Sequence, residues 1–245
     1  MNFSPLVLFV LTILAAAPSH VVEPPAVAPP QIASHADVPE DFVPAGWRIE
    51  HRVDGRIDDD THDDVLLLLR MDDPANVIDN DGLGSRQLDT NPRMLVVAFS
   101  DGKGGWRRVL MNHALIPRRE SPTMADYLQD DPAGSITLQD NRSIRISLHS
   151  FASAGSWYMG NTTFTFRHQD GCFRLIGYDA TELHRASMAM KEVSINYLTG
   201  RALVSEGSAE EEALPKRWQR LSDRSRICIE DVGDGFLFEP KLSPP

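Results

Sequence analysis

Residues 55–69 read Gly-Arg-Ile-Asp-Asp-Asp-Thr-His-Asp-Asp-Val-Leu-Leu-Leu-Leu, an acidic run that leads directly into an apolar run. Within the apolar run, Leu66–Leu69 is typical of a strand buried on both faces, because consecutive residues are apolar. The acidic run is typical of a tight turn, in which carboxylates on alternate residues can converge on a hard cation such as Ca²⁺. We therefore predict a loop that is anchored by the buried strand behind it.

The rest of the chain consists of short β-like runs separated by turn residues. The candidate strands are Val65–Arg70, Met94–Ser100, Trp106–Asn112, Ser135–Gln139, Ser143–His149, Thr162–His168, Cys172–Tyr178, Val193–Leu198 and Arg226–Glu230. Several of them alternate apolar and polar residues, which places the apolar side chains on one face. The Asp-Gly pair at 170–171 predicts an antiparallel hairpin, because both residues tolerate positive φ.

Helical patterns are few. Ser121–Leu128 could form a short helix capped by its serine, with Pro122 in the first turn. A second could run from Ala209 to Leu221, and Thr181–Lys191 fits either a helix or a long β connection. The sequence thus predicts a mainly β fold of antiparallel hairpins or a meander, sandwich-like or propeller-fragment-like, with one or two short helices.

Three regions differ in composition. Residues 1–17 contain an apolar run ending in Ala15-Ala16-Ala17, which is typical of a cleavable signal peptide. Residues 18–44 are rich in Pro and Ala, which predicts an extended, disordered linker. Residues 45–245 remain for a single β-rich domain. The signal peptide predicts export, to the periplasm of a Gram-negative bacterium or to the outside.

The charge and the cysteines limit the partners and the compartment. A formal net charge of −11 argues against nucleic acid as a partner, because such binding depends on Lys and Arg displacing counterions from phosphates. No later run is long enough for a stable membrane insertion. Cys172 and Cys228 are the only cysteines, and an oxidising compartment favours a disulfide between them. Two buried free thiols are the alternative.

The acidic loop resembles the loop and strand of FG-GAP or VCBS-type repeats, which commonly hold Ca²⁺. The resemblance implies that Asp58, Asp60 and Asp64 are metal ligands and that His62 contributes its backbone carbonyl. In this chain Arg56 occupies the first ligand position and Thr61 replaces the turn glycine. The alternative is a degenerate loop whose carboxylates bond to their own backbone, as Asp commonly does in turns.

A second resemblance covers Thr165–Gly177 and Ser194–Gly200. These segments are similar to parts of uncharacterised exported bacterial proteins in which an acidic, repeat-like loop precedes several β-hairpins. The resemblance implies an exported β-rich protein and no particular reaction.

Common catalytic motifs do not occur in the sequence. It has no His-Glu-x-x-His, no Cys-x-x-Cys and no Gly-x-Ser-x-Gly motif. Histidines such as His113, His149, His168 and His184 could act as bases, but structural roles are the simpler interpretation. Whether the protein is an enzyme stays open at this point, and a cell-envelope hydrolase with a His or carboxylate pair is the alternative function.

Exposed aromatic residues suggest a third type of function. Trp157 and Tyr158 follow Gly155-Ser156 and could line a groove for a saccharide or a peptide, because rings stack on apolar ligand faces. Core packing is the alternative for Trp157, and Trp47, Trp106 and Trp218 fit the core more readily. We therefore predict a non-catalytic binding or interaction module whose partner is an envelope protein or a saccharide, and the acidic loop is its candidate site for a structural Ca²⁺.

Overall fold

The structure of the protein is a computed structural model that describes residues 23–129 and 131–243. The predicted signal peptide, residues 1–17, lies outside the described residues. Fourteen strands within them form two large antiparallel sheets and one small hairpin. The prediction of a mainly β fold with antiparallel hairpins and two short helices is confirmed.

The first half of the chain builds a five-stranded sheet. Its strands and those of the small hairpin are β1 (His35–Ala36), β2 (Trp47–Gly55), β3 (Asp64–Met71), β4 (Val77–Asp79), β5 (Gln87–Asp89), β6 (Arg93–Ser100) and β7 (Trp106–Asn112). The order across the sheet is β1-β7-β6-β3-β2, whereas β4 and β5 pair only with each other. The predicted apolar strand, β3, therefore lies inside the sheet, between β2 and β6.

The second half forms a seven-stranded meander. Its strands are β8 (Ile136–Leu138), β9 (Ser143–Phe151), β10 (Tyr158–Gln169), β11 (Cys172–His184), β12 (Ala189–Asn196), β13 (Arg201–Ser208) and β14 (Lys216–Arg220). Neighbours in sequence are neighbours in the sheet, so β8 and β14 are its edges. The predicted hairpin at Asp170-Gly171 joins β10 to β11, and both residues have positive φ. The ambiguous segment 181–191 belongs to the hairpin of β11 and β12.

The two sheets pack face to face and share one apolar core. Leu66 and Leu68 of β3 belong to the same buried cluster as Ile146 of β9 and Phe164 and Phe166 of β10. Sheet-on-sheet packing of this kind buries alternate residues of each strand. Val65, Leu67 and Leu69 of β3 face the other way, into a second cluster. The prediction that this strand is buried on both faces is therefore confirmed.

The N-terminal segment covers the second face of the five-stranded sheet. Phe42, in a short 3₁₀ helix at Pro39–Phe42, is fully buried in the second cluster, and β1 pairs with β7. The predicted disordered linker, residues 18–44, is thus ordered in its second half, and the fold begins well before Trp47. Composition does not indicate this order, because prolines and polar residues separate Ile32, Ala36 and Phe42 in the sequence. In the structure these three residues together form an apolar face.

The C-terminal segment is tied to the seven-stranded sheet by a disulfide. Cys172, at the start of β11, is bonded to Cys228, and the prediction of this disulfide is confirmed. Residues 226–230 do not form the predicted strand. Only an isolated bridge joins Arg174 and Cys228, and helix α2 (Ile229–Val232) begins directly after it. The other helix, α1 (Pro132–Ser135), precedes β8. Ile229 and Val232 are buried in the main core.

Neither of the helices predicted at 121–128 and 209–221 is formed. Met124 instead bridges to Ala152, and the segment around it consists of turns. Residues 216–220 form β14, because its backbone pairs with β13 from Arg201↔Arg220 to Ser205↔Lys216. Pairing with a neighbouring strand overrides helix propensity, which is a weak determinant in short segments.

Candidate functional site

The acidic loop joins β2 to β3, and Asp64 fastens it to the sheet. This carboxylate is fully buried; its Oδ2 accepts hydrogen bonds from the N–H groups of Ile57 (2.9 Å) and Asp58 (3.1 Å). Its Oδ1 accepts from the N–H of Ser100, at the end of β6, over 3.1 Å. Burial raises the pKa of Asp64, and the three N–H donors oppose that shift. The residue is thus a structural acceptor that links the loop to two strands.

The other predicted ligands bond to their own backbone. Asp58 Oδ1 accepts from the N–H of Asp60 (2.8 Å), and Asp60 Oδ1 accepts from the N–H of His62 (2.7 Å). The His62 ring lies 3.2 Å from Asp60 Oδ2. In the part of the chain that the structure describes, no group of three or more His, Cys, Asp or Glu side chains is arranged to hold a metal ion. The structure does not bring the oxygens of Asp58, Asp60 and Asp64 together.

The cation that contacts this loop is an arginine from the other sheet. Arg142, between β8 and β9, donates to the carbonyl oxygen of Asp58 over 2.8 Å and to the carboxylate of Asp59 over 2.6 Å. Arg142 has a positive φ of 63° in its hairpin turn. The acidic loop therefore connects the two sheets through a side chain that no local sequence pattern indicates.

A buried ion-pair network joins the strands at the opposite end of the five-stranded sheet. Arg93 donates to both oxygens of Glu50 (2.6 and 2.9 Å) and to both oxygens of Asp126 (2.9 and 2.9 Å). Arg70 bonds to Glu50 over 3.0 Å and to Asp89 over 2.7 Å. Burial opposes ionisation of Glu50 and Asp126, but the bonds from Arg93 outweigh it, so the pKa of each carboxyl lies below its ordinary value.

This network holds elements together and lacks the features of a catalytic site. Both carboxylates are already paired with arginines, so neither is available as a proton acceptor near neutral pH. The sequence does not indicate the network, because its bonded pairs are 19 to 43 residues apart. Charged residues at strand ends are usually exposed to solvent, and no local sequence pattern distinguishes the buried Arg93 from them.

Three of the four candidate histidines are held in structural contacts, and the fourth, His113, is exposed. His168 lies between Phe99 and Phe173, at ring distances of 4.9 and 5.3 Å, and burial lowers its pKa. His149 bonds to Asn161 over 3.0 Å and His184 to the Ser187 hydroxyl over 2.7 Å. Within the described residues, the one ion pair between a histidine and a carboxylate is Asp60–His62 on the exposed loop.

Trp157 and Tyr158 lie on an exposed end of the seven-stranded sheet. Their exposed fractions are 62% and 53%, so core packing is wrong for Trp157. The Arg185 guanidinium lies over both the Phe151 ring (4.8 Å) and the Trp157 ring (5.8 Å), while Tyr158 contacts the His184 ring edge-on at 4.8 Å. The two neighbouring residues therefore contact different partners. We call this group of five residues the aromatic tip.

A second exposed tryptophan lies on the edge strand β14. Trp218 is 61% exposed, so the expectation that it belongs to the core is wrong, whereas Trp47 and Trp106 pack against the second core cluster as expected. The Arg201 guanidinium lies 4.4 Å above the Trp218 ring. In longer strands, period-two alternation indicated which residues face the core. It gave no indication for Trp218, because the sequence predicted a helix over 209–221.

Polar side chains cover the outer face of the sheet between these two tryptophans. Across four strands the register places Asp179, Ser194, Leu203 and Trp218 in one row. Ser194 donates to Asp179 over 2.6 Å, and on the neighbouring strands the hydroxyls of Ser147 and Thr163 lie 2.9 Å apart. The outer face is thus a rigid polar surface with an aromatic ring near each end.

Comparison with known proteins gave no relative. No protein-family model, no curated protein and no solved structure matches the chain. None of the helices among residues 23–129 and 131–243 has the length and apolarity needed to cross a bilayer.

Proposed function

We propose that this protein is an exported, non-catalytic binding module that takes a saccharide on its seven-stranded sheet. The observation that supports this proposal is the distribution of the exposed aromatic rings. Trp157, Tyr158 and Trp218 are all more than half exposed, and all three belong to this sheet or its end. A soluble surface does not need exposed tryptophan, and exposed rings are frequent at sites that bind ligands or partners.

A saccharide fits the surroundings of these rings better than a purely apolar ligand. A sugar ring has an apolar face that stacks on an aromatic ring and hydroxyl groups that need hydrogen-bond partners. The outer face supplies such partners next to Trp218, among them Ser194, Asp179 and Asn196. Tyr158 and Trp218 are carried by strands, and Arg185 and Arg201 lie over the Trp157 and Trp218 rings, so little conformational entropy is lost on binding.

Export is supported by two independent features. The Cys172–Cys228 disulfide fits an oxidising compartment, where such bonds form and persist. The apolar run in residues 1–17 fits a cleavable signal peptide. Together they favour a periplasmic or secreted protein that meets cell-envelope or extracellular saccharides.

Substitution of the exposed tryptophans tests the proposal. Trp157 directly precedes β10 and Trp218 lies on β14, near opposite ends of the outer face, so one trisaccharide stacks on one of the two rings. At least one of Trp157→Ala and Trp218→Ala should therefore weaken its binding about tenfold, which corresponds to about 1.4 kcal/mol. Calorimetric titration with chitotriose, cellotriose and maltotriose measures the effect. Leu83→Ala is the matched control, because Leu83 is 74% exposed and lies outside the seven-stranded sheet. Variants that bind as tightly as the wild type, or a wild type that binds none of the three, would contradict the proposal.

A structural Ca²⁺ in the acidic loop is the second part of the proposal. Asp58 and Asp60 each keep one oxygen that no backbone N–H occupies, and the formal charge of −11 favours cations. If the loop binds Ca²⁺, millimolar Ca²⁺ should raise the melting temperature of the wild type and not that of Asp60→Asn. Melting curves in Ca²⁺ and in a chelator make the comparison. Identical melting curves of the wild type in Ca²⁺ and in chelator would contradict Ca²⁺ binding by the loop.

The alternative function, a cell-envelope hydrolase, has no specific observation in its favour. The Asp60–His62 pair lies on an exposed loop; its two side chains are 41% and 47% exposed. The buried carboxylates Glu50 and Asp126 are paired with arginines. We therefore retain the binding module as the proposal.

A further inference from the structure

A cavity lined by arginines opens at the β14 edge of the seven-stranded sheet. Its volume is about 730 Å³, and its charged lining residues are Arg201, Arg220 and Arg224, beside Trp218. Among the residues that the structure describes, no carboxylate belongs to the lining. We call these four residues and their cavity the arginine pocket. Its volume is within the range of 300–1,000 Å³ that is usual for small-molecule sites.

The arginines of this pocket have no anionic partner within the described part of the chain. Arg201 lies directly opposite Arg220 in the pairing of β13 with β14, and like charges in that position destabilise a sheet. No carboxylate lies within 4.0 Å of Arg201, Arg220 or Arg224 among the residues described. Nearby acidic groups are engaged elsewhere, since Asp223 pairs with Lys241 and Asp170 with Arg226.

Packing fixes two of these side chains in place. The Arg201 guanidinium rests on the Trp218 ring at 4.4 Å. Arg224 lies across Gly200, where a Cβ atom would come within 2.7 Å of its Nε, and the φ of Gly200 is +67°. Glycine at this position therefore allows the close approach of the arginine. A smaller cavity of about 390 Å³ adjoins the same Arg201–Trp218 pair and is lined by Asn196 and Ser194.

Protection of an exposed sheet edge explains only part of this arrangement. Charged residues on an edge strand prevent pairing with other chains, and Lys216 and Arg217 of β14 suit that role. Arg201 and Arg224 lie outside the edge strand, and an exposed Trp218 would favour association rather than prevent it. The concentration of positive charge also contrasts with the net charge of −11.

We propose that the arginine pocket binds an acidic saccharide, a sugar whose ring stacks on Trp218 and whose carboxylate or phosphate pairs with Arg220 and Arg224. Guanidinium groups bind such anions through two parallel hydrogen bonds, which supplies geometric specificity. The polar groups of the smaller cavity are placed to bond with hydroxyls of a neighbouring sugar unit. The inference rests on the proposed function and adds to it the charge of the ligand.

The test compares charged and neutral forms of one saccharide on the full chain. Trigalacturonate should bind at least about tenfold more tightly than galactotriose, equivalent to about 1.4 kcal/mol or more. Arg220→Gln and Arg224→Gln should reduce the affinity for trigalacturonate to the level of the neutral sugar. Arg226→Gln is the matched control, because Arg226 follows closely in the sequence, pairs with Asp170 and does not line the pocket. Glucose 6-phosphate, titrated in parallel, distinguishes phosphate from carboxylate as the preferred anion.

The outcomes separate this inference from the proposed function. Equal affinities for trigalacturonate and galactotriose, both lowered by Trp218→Ala, would overturn the acidic ligand and support the saccharide module. Acidic-sugar binding that depends on the arginines but not on Trp218 would overturn the stacked saccharide. Binding of phosphatidylglycerol vesicles through the same arginines, without binding of any sugar, would overturn both in favour of a lipid surface.

Discussion

Arg93→Met should lower the free energy of unfolding by about 3–5 kcal/mol, because it leaves the buried Asp126 without its ion-pair partner and Glu50 with Arg70 alone. The side chains of Arg93, Glu50 and Asp126 are 9%, 10% and 9% exposed, so water cannot replace the lost bonds. Urea denaturation at neutral pH measures the change. Arg52→Met is the matched control: Arg52 is 35% exposed, and its surface pairs with Glu40 and Asp54 should contribute less than about 1 kcal/mol.

The same variant should respond to pH in the opposite direction from the wild type. In the wild type Arg93 keeps the pKa of Glu50 and Asp126 below their ordinary values of 4.5 and 3.8. The stability they contribute is present above those values and is lost as the pH falls through the lowered pKa. Without Arg93, burial should raise both pKa values, so acid stabilises the variant and the difference between the proteins narrows. A difference that stays constant between neutral pH and pH 4 would contradict this explanation.

Removal of the disulfide is the second large effect. Cys172→Ser combined with Cys228→Ser should lower the free energy of unfolding by about 4 kcal/mol, the value the chain-entropy model gives for a loop of this size. The sequence separation of the two cysteines is 56 residues. Ile229 and Val232 would lose their covalent anchor to β11, so the C-terminal segment should become the first site of proteolysis.

Reduction of the wild type provides the internal control for that effect. A thiol reductant should shift the melting temperature of the wild type to that of the double serine variant and leave the variant unchanged. A wild type that melts at the same temperature with and without reductant would show that the bond contributes nothing to stability. Alkylation with a mass readout confirms the redox state in each sample.

Local patterns in the sequence predicted the parts of the fold that depend on neighbouring residues. Period-two alternation in Ile144–Leu148 identified β9, and Asp170-Gly171 identified the hairpin that follows β10. The consecutive leucines of β3 correctly indicated burial on both faces. In each of these cases the determining contacts lie within one strand or across one tight turn.

The failures depend on contacts between distant segments. β2 was not recognised, because only Trp47, Ile49 and Val53 among its nine residues are apolar; Glu50 is nevertheless largely buried by its pairing with Arg93. The sequence predicted a turn at the acidic loop but not that Asp64 accepts from backbone N–H groups of two segments. Trp218 was expected in the core, whereas it is 61% exposed on the edge strand β14. No single-sequence pattern encodes any of these three arrangements.

The covering of the five-stranded sheet by the N-terminal segment constrains the order in which the chain can fold. Ala33 accepts a hydrogen bond from the Arg108 side chain, 75 residues further along, and β1 has β7 as its partner. A ribosome or a translocation channel releases the N-terminus first. The apolar side chains of Ile32, Ala36 and Phe42 therefore remain exposed to solvent until β6 and β7 have emerged. This interval is the period in which the chain is most exposed to aggregation and proteolysis.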